Sequence, residues 1–407
     1  MRARHRLVTA VAAGACVALV AACGSSNSGS SKGSSSSAPI YILASAGTGV
    51  PGTLGQNAAT ADNAVKAAVS VINAAGGIMG HKVVATYVDD EGDPTTAVSL
   101  LEQQISSGHK PLAYFDSGPS NLSAAVLPIL AQNHILSFNT APTANSSDPS
   151  TFPLNFDLSP SAPNYAVAFC PYAKAHGWTK VGVLYTDDAY GDVLGPDIQT
   201  QCKADGSTVT GIEKYEPTSL DMTPEIQAIE SGHPQVVMLV GYGAEVGYVL
   251  DGFHKLGWNV PILGDVAVAD TNIVTTKPPA GLLGTAEEKN LKFEAFQSTV
   301  AQSNEPANLT TMINALKAQG PIPGSLITAY NYDGVQMLAA AATKAKTVTD
   351  VSAIAKAVLK LTAGEAKTAI FPQYFYSATL HAPTEPSSVF TFVTPSTLTN
   401  GQFTGSS

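Results

Sequence analysis

Four cysteines, eight histidines and 31 acids are the residues of this 407-residue chain best suited to chemistry, and their spacing excludes most of it. The histidines beyond the first few residues, His81, His109, His134, His176, His233, His254 and His381, stand singly, mostly near loops or helix ends where solvation explains them. No His or Cys spacing matches a metal site. There is no Gly-x-Ser-x-Gly elbow set between a strand and a helix, no His-Glu-x-x-His and no phosphate loop. The chain therefore reads as a non-enzyme without metal or cofactor. Two places leave binding open. Ser117-Gly118 after an apolar run is either a hydroxyl beside backbone N–H groups, which can hold an anion, or a plain Ser-Gly-Pro turn. Asp265 after Ile262-Leu263-Gly264 is either an exposed turn acid or a carboxylate in a cleft, where it needs a cationic partner or costs several kcal/mol.

These residues need elements to hold them. Short β-rich runs over 40–44, 83–88 and 112–115 alternate with Ala-rich stretches of helical period over 58–74 and 95–107. This βαβ rhythm implies parallel strands with helices on both faces and ligands beyond the carboxyl ends of the strands. The rhythm restarts with helices over 165–175, 194–204, 223–230 and 246–256 and strands over 181–185, 209–215, 236–240 and 262–263. Two similar lobes follow. Between them Asn155-Phe156-Asp157-Leu158-Ser159-Pro160-Ser161-Ala162-Pro163 is extended, since its prolines cannot continue a helix, and reads as a crossover. Helices over 325–344 and 350–361 must complete one lobe from distant sequence.

At the start, Arg2, Arg4 and Arg6 precede an apolar run over 7–22 that is broken by Gly14 and ends in Ala21-Ala22. That pattern suits a signal peptide better than a spanning helix. Val20-Ala21-Ala22-Cys23 resembles the lipobox of bacterial lipoproteins, in which the cysteine is lipidated and becomes the N-terminus; ordinary secretory cleavage is the alternative. Residues 24–37 are almost wholly Ser, Gly and Asn, a flexible tether with a reach of roughly 20 Å. Loss of residues 1–22 leaves 18 Lys+Arg against 31 Asp+Glu, a net charge of −13, which disfavours nucleic acid and other polyanions. Cys16 leaves with the signal, so Cys170 and Cys202 remain as an isolated pair in an oxidising compartment. A disulfide is the favoured reading, with two separately buried thiols as the alternative.

Val71-Ile72-Asn73-Ala74-Ala75-Gly76-Gly77-Ile78-Met79-Gly80-His81-Lys82-Val83, followed by Asp89-Asp90-Glu91-Gly92-Asp93-Pro94, resembles the helix, Gly-Gly-Ile turn, strand and acidic loop of one family. Thr186-Asp187-Asp188-Ala189-Tyr190-Gly191 and Ala329-Tyr330-Asn331-Tyr332-Asp333-Gly334-Val335 extend the match. The family is the type I periplasmic binding proteins, in the branch serving branched-chain amino acid ABC transporters. The resemblance implies an α/β fold of two Rossmann-like lobes with parallel sheets, joined by a three-crossover hinge. It divides the chain into a signal peptide (1–22), a tether (23–38), lobe 1 (39–157 and about 286–383) and lobe 2 (158–285 and about 384–407).

It also implies a ligand whose carboxylate is held by Ser117 and Gly118 and by Thr140 and Ala141 of the 137–143 loop. Tyr190 and Tyr242 would cover it, and Asp265 would pair with its ammonium. Two departures stand out. Phe138 takes the place where the family usually has proline, and Thr53-Leu54-Gly55-Gln56-Asn57 lacks the aromatic that often lines the side-chain pocket. The implied function is capture of a small polar solute, an amino acid or related compound, by an extracytoplasmic protein anchored at Cys23. Delivery would be to the permease and ATPase subunits of an ABC transporter. The rival is a ligand-sensing lipoprotein reporting to a membrane receptor.

Overall fold

The computed structural model of this chain describes residues 37–143 and 145–405. The expected signal segment, Cys23 and most of the tether lie outside the described residues.

The first lobe is built on β1 (Ile40–Ser45), β2 (Val83–Val88), β3 (Ala113–Asp116), β4 (Leu136–Asn139) and β5 (Asn155–Asp157), ordered β2-β1-β3-β4-β5 and all parallel. The crossovers are α1 (Thr53–Ala74), α2 (Pro94–Ser106) and α3 (Ser120–Gln132). Gly76 and Gly77, at φ 99° and 78°, supply the left-handed turn after α1, and a Cβ on Gly77 would lie 2.1 Å from the His81 carbonyl oxygen. Asp93 caps α2 by accepting from the Thr96 N–H at 2.8 Å, with Pro94 in the first turn. Phe115, Phe138 and Phe156, fully buried on neighbouring strands, stack with ring centroids 5.2 and 6.1 Å apart.

The second lobe comprises α4 (Ala162–Ala175), β6 (Lys180–Thr186), α5 (Gly191–Ala204), β7 (Thr208–Tyr215), α6 (Thr223–Ser231), β8 (Val236–Val240), α7 (Glu245–Leu256), β9 (Ile262–Gly264) and the single turn α8 (Val266–Ala269). Its order β7-β6-β8-β9 repeats β2-β1-β3-β4, so both lobes share one winding. The sheet continues into β10 (Leu291–Phe296), parallel to β9 with Leu291 opposite Ile262. The boundary expected near 286 therefore moves past Phe296. β11 (Phe390–Val393) closes the edge, antiparallel to β10.

The chain returns to the first lobe through α9 (Ala307–Gln319), the 3-10 turn Leu326–Ala329, α10 (Tyr330–Ala345) and α11 (Val351–Val358); α9 and α10 pack on α1. Of the stretch from about 384 to 407 expected in the second lobe, β11 lies in its sheet and Phe403 packs on Phe293 of β10 at 5.0 Å, while the residues between are outside the sheet. The end of the chain forms its own hairpin, β12 (Leu398–Thr399) with β13 (Gln402–Phe403), and clasps the returning segment: Gly401 O accepts from Leu326 N–H at 2.7 Å, and Phe403 O from Ala301 N–H at 2.9 Å. Two of the crossings between lobes run side by side, with Asp157 N–H donating to His381 O at 2.8 Å and Ser161 N–H to Pro383 O at 3.2 Å. His381 is not solvated: it is buried there, stacked on Phe156 at 4.4 Å.

Cys170 on α4 and Cys202 on α5 are bonded through their sulfurs, 32 residues apart in sequence. Closing a loop of that size restricts the unfolded chain by about 3.7 kcal/mol. Replacing both cysteines with serine should lower the unfolding free energy by that amount, read as an earlier denaturant midpoint, and a midpoint indifferent to reductant would show the bond adds nothing.

Candidate ligand-binding site

In each lobe the strand order reverses direction between the first strand and the third, β1 and β3 in one lobe and β6 and β8 in the other. Loops leaving such switch points diverge and leave a crevice. A cavity of about 260 Å³ lies where the two crevices meet, walled by Gly47 and Val50 after β1, Ser117 to Ser120 after β3, Tyr190 after β6, and Tyr242 and Gly243 after β8. Thr140, Ala141 and Pro142 after β4, Tyr165 of α4, Thr328, Tyr330 and Asp270 also line it, and Glu91 after β2 puts an acid on the first lobe's side. Of the residues expected at the site, Ser117, Gly118, Thr140, Ala141, Tyr190 and Tyr242 are together on this wall. Asp265 is not.

The first lobe's donors differ from those expected. Ser117 N–H donates to Ser45 O at 3.1 Å, Gly118 N–H to Asp116 Oδ1 at 2.9 Å, and Ala141 N–H to Asn139 Oδ1 at 3.1 Å. Those amides are taken. What faces the cavity is a set of hydroxyls on Ser117, Ser120 and Thr140 together with the start of α3, whose cap residue Pro119 offers no side-chain acceptor. In that turn the Leu122 N–H is taken by Pro119 O and Asn121 Oδ1, each at 3.0 Å, so the Ser120 and Asn121 N–H groups and the positive end of the helix dipole are what this corner offers an anion. No lysine, arginine or histidine is on the wall, and no arginine follows Arg6 anywhere in the chain.

The second lobe presents aromatic rings. The Tyr190 hydroxyl donates to the Asp265 carboxyl, and Tyr242 donates to Asp188 Oδ2 at 2.5 Å. Asp188 Oδ1 in turn accepts the N–H groups of Tyr190 and Gly191, which fixes the turn carrying Tyr190. The two rings stand edge to face at 6.0 Å. Asp265 is fully buried behind them and also caps α8 by accepting from Val268 N–H at 2.9 Å. Burial pushes its carboxyl up to about 7, against the lowering effect of Tyr190 and the backbone donors. It acts on the cavity through Tyr190.

Sequence reasoning missed Tyr165, Ser120 and Asp270. Asp270, five residues past Asp265, reaches across to the other lobe: Asn57 Nδ2 of α1 donates to its Oδ2 at 2.7 Å, and Ser325 Oγ to its Oδ1 at 2.5 Å. Burial raises its carboxyl well above the usual range. The pairing of Asn57 with an acid from the other lobe was not visible in a segment noted only for lacking an aromatic. Among the described residues no group of three metal-ligating side chains exists, and no helix is long and apolar enough to cross a membrane.

Two like-wound lobes meeting at their switch points over a small cavity define a clamshell architecture. A sequence model of the family described as periplasmic binding protein matches residues 48–397. The chain belongs to the periplasmic binding protein family, whose members are extracytoplasmic solute-binding proteins and not enzymes, and its fold is that of the type I branch. It is 28% identical over 294 residues to a Leu/Ile/Val-binding protein homologue of Brucella melitensis, covering 72% of this chain and 76% of that protein. It superposes on a type 1 periplasmic binding protein of Bordetella pertussis with TM-score 0.73 and 18% identity, covering 88% and 96% of the two chains. It also superposes on the branched-chain amino acid transporter substrate-binding protein LivJ of Streptococcus pneumoniae, in complex with isoleucine, with TM-score 0.68, 19% identity and coverage of 90% and 97%.

Proposed function

We propose that this protein captures a small α-amino acid or related carboxylate between its lobes and delivers it to an ABC permease, held at the membrane by lipid on Cys23. The observation that carries the reading is the division of the cavity wall. Hydroxyls and a helix N-terminus on the first lobe offer donors to a carboxylate. On the second lobe, Tyr190 and Tyr242 offer ring faces whose hydroxyls are turned onto carboxyls, which suits an ammonium group. The printed name of the Brucella relative and the isoleucine in the Streptococcus structure point to the same ligand class. The cavity at about 260 Å³ is of a size for one small solute. Asn57 and Ser325 meeting Asp270 across the gap supply contacts made only when the lobes are together, so closure would accompany capture.

The test is thermal shift on the chain from Ser37 onward, which forms one compact unit. L-leucine, L-isoleucine or L-valine at about 100 times its Kd should stabilise the fold by about 2.7 kcal/mol. 4-Methylpentanoate, which is leucine without its ammonium, should shift the midpoint much less. A response to the deaminated acid alone would remove the ammonium site from this reading, and a response to none of the four would remove the branched-chain amino acids and their acids as ligands. Retention of the full chain in the membrane fraction, lost on Cys23→Ser, checks the anchor.

A further inference from the structure

We infer that Asn331 fixes the direction of the Ser117 hydroxyl proton and so makes that hydroxyl a committed donor to the ligand's anion. The inference rests on the reading that Ser117 meets the ligand's carboxylate. Asn331 sits in the first turn of α10, fully buried and off the cavity wall. Its Nδ2 lies 2.6 Å from Ser117 Oγ, and its Oδ1 has no partner among the described residues.

The amide has two orientations. With nitrogen toward Ser117 it leaves the carbonyl oxygen and one N–H without a partner; with oxygen toward Ser117 it leaves both N–H donors without one. An under-satisfied carbonyl is tolerated better in a protein interior than orphaned N–H groups, so the first orientation wins. Ser117 Oγ then accepts from Asn331 and cannot spend its own proton on it.

The Ser117 N–H is already committed to Ser45 O at 3.1 Å, which pins the residue's backbone, and the open side of Ser117 is the cavity. A hydroxyl that accepts one hydrogen bond is polarised to donate a stronger one. This matters because the wall holds no lysine, arginine or histidine: the number of committed donors decides whether a carboxylate can stay there. An acid at this position would do the reverse. Its carboxylate would claim the Ser117 proton and turn a lone pair toward the ligand.

Isothermal titration with L-leucine as the probe separates this role from a packing role. Asn331→Asp should weaken binding about 100-fold and Asn331→Ala about 10-fold, the range for a lost hydrogen bond to a charged group. In a Ser117→Ala background Asn331→Asp should add less than about threefold, because the two residues act as one unit. Equal losses for Asn331→Asp and Asn331→Ala, or a loss that persists undiminished beside Ser117→Ala, would overturn the inference. Ligand-free melting of each variant reports folding separately.

Neutron diffraction of the ligand-free wild type reads the proton directly and needs neither a variant nor a ligand. A Ser117 deuteron pointing into the cavity supports the inference, and one lying on Asn331 overturns it. Should L-leucine fail to bind the wild type while that deuteron points into the cavity, the ligand assignment falls and the role of Asn331 stands.

Discussion

Asp333→Ala is expected to cost roughly 5 kcal/mol of stability, because it removes the acceptor of four hydrogen bonds at once and leaves three buried N–H groups at about 1–3 kcal/mol each. Asp333 is fully buried in α10 and accepts from Ala369 N–H at 2.6 Å, Ile370 N–H at 2.9 Å, Phe371 N–H at 3.3 Å and the Tyr374 hydroxyl at 2.9 Å. It thereby pins the loop leading toward the crossing at His381 to Pro383 onto the helix that carries Tyr330 to the cavity wall and Asn331 to Ser117. Phe371, held by this loop, packs edge to face on Phe296 at 4.8 Å, so the anchor also ties the first lobe's helix to the end of β10. Asp333→Asn should recover only part of the loss, since its amide nitrogen must face an N–H that needs an acceptor. Denaturant unfolding measures both. A loss below about 1 kcal/mol for the alanine variant would mean that the loop repacks and that the four bonds are not what holds it.

The fold was legible wherever the pattern was local. The strand over 236–240 lies in register with its sequence reading, and Asp93-Pro94 opens α2 as those residue types dictate. β10 was hidden because Lys292 and Glu294 interrupt its apolar run and its partner β9 lies nearly 30 residues away, beyond any periodicity window. α3 carries Pro128 inside it, which reads as a break, although the helix continues past it.

At the site, which loops converge could be read from strand ends, but which donors stay free could not. Asp116 folds back onto the Gly118 N–H and Asn139 onto the Ala141 N–H, each two residues along, and these local bonds consume the amides expected to face a ligand. The same limit separates Asp265 from Asp270. Both follow β9 in a segment of short turns, and only the packing of the one-turn α8 decides that the first is sealed behind Tyr190 while the second spans the lobes.

Stability should peak on the acid side of neutrality and fall as pH rises from 5 to 8, a loss of a few kcal/mol that lowers Tm by about 5 °C or more. The cause is a set of enclosed acids without a cation. No arginine follows Arg6, and Glu294, Glu385 and Glu288 have only a backbone N–H or nothing to offset burial. Glu294 on β10 is fully buried, neither of its oxygens has a partner among the described residues, and burial followed by the nearby Asp265 pushes its carboxyl well above the ordinary range. Burial also pushes Glu385 up to about 8, against the Phe375 N–H, and Glu288 to about 7, against the Gly284 N–H. In the unfolded chain each titrates near about 4.3. Between that value and their folded ones the native protein holds protons that the unfolded chain has released, so unfolding becomes easier as pH rises through the window.

Below about 4.3 this contribution is complete, but exposed pairs then fail. Lys344, with the Thr362 backbone, holds Glu365 down at about 2, so that carboxylate stabilises the fold above its unfolded value and loses its advantage as pH falls. The two trends together place the optimum near pH 5. Calorimetry across pH 4 to 8 at constant ionic strength measures the curve, and Glu294→Gln should flatten its alkaline side by removing one proton from the balance. A Tm that holds level or climbs between pH 5 and 8 would mean that these carboxyls ionise within the fold, relieved by water or by movement of β10 and the crossing at His381 to Pro383.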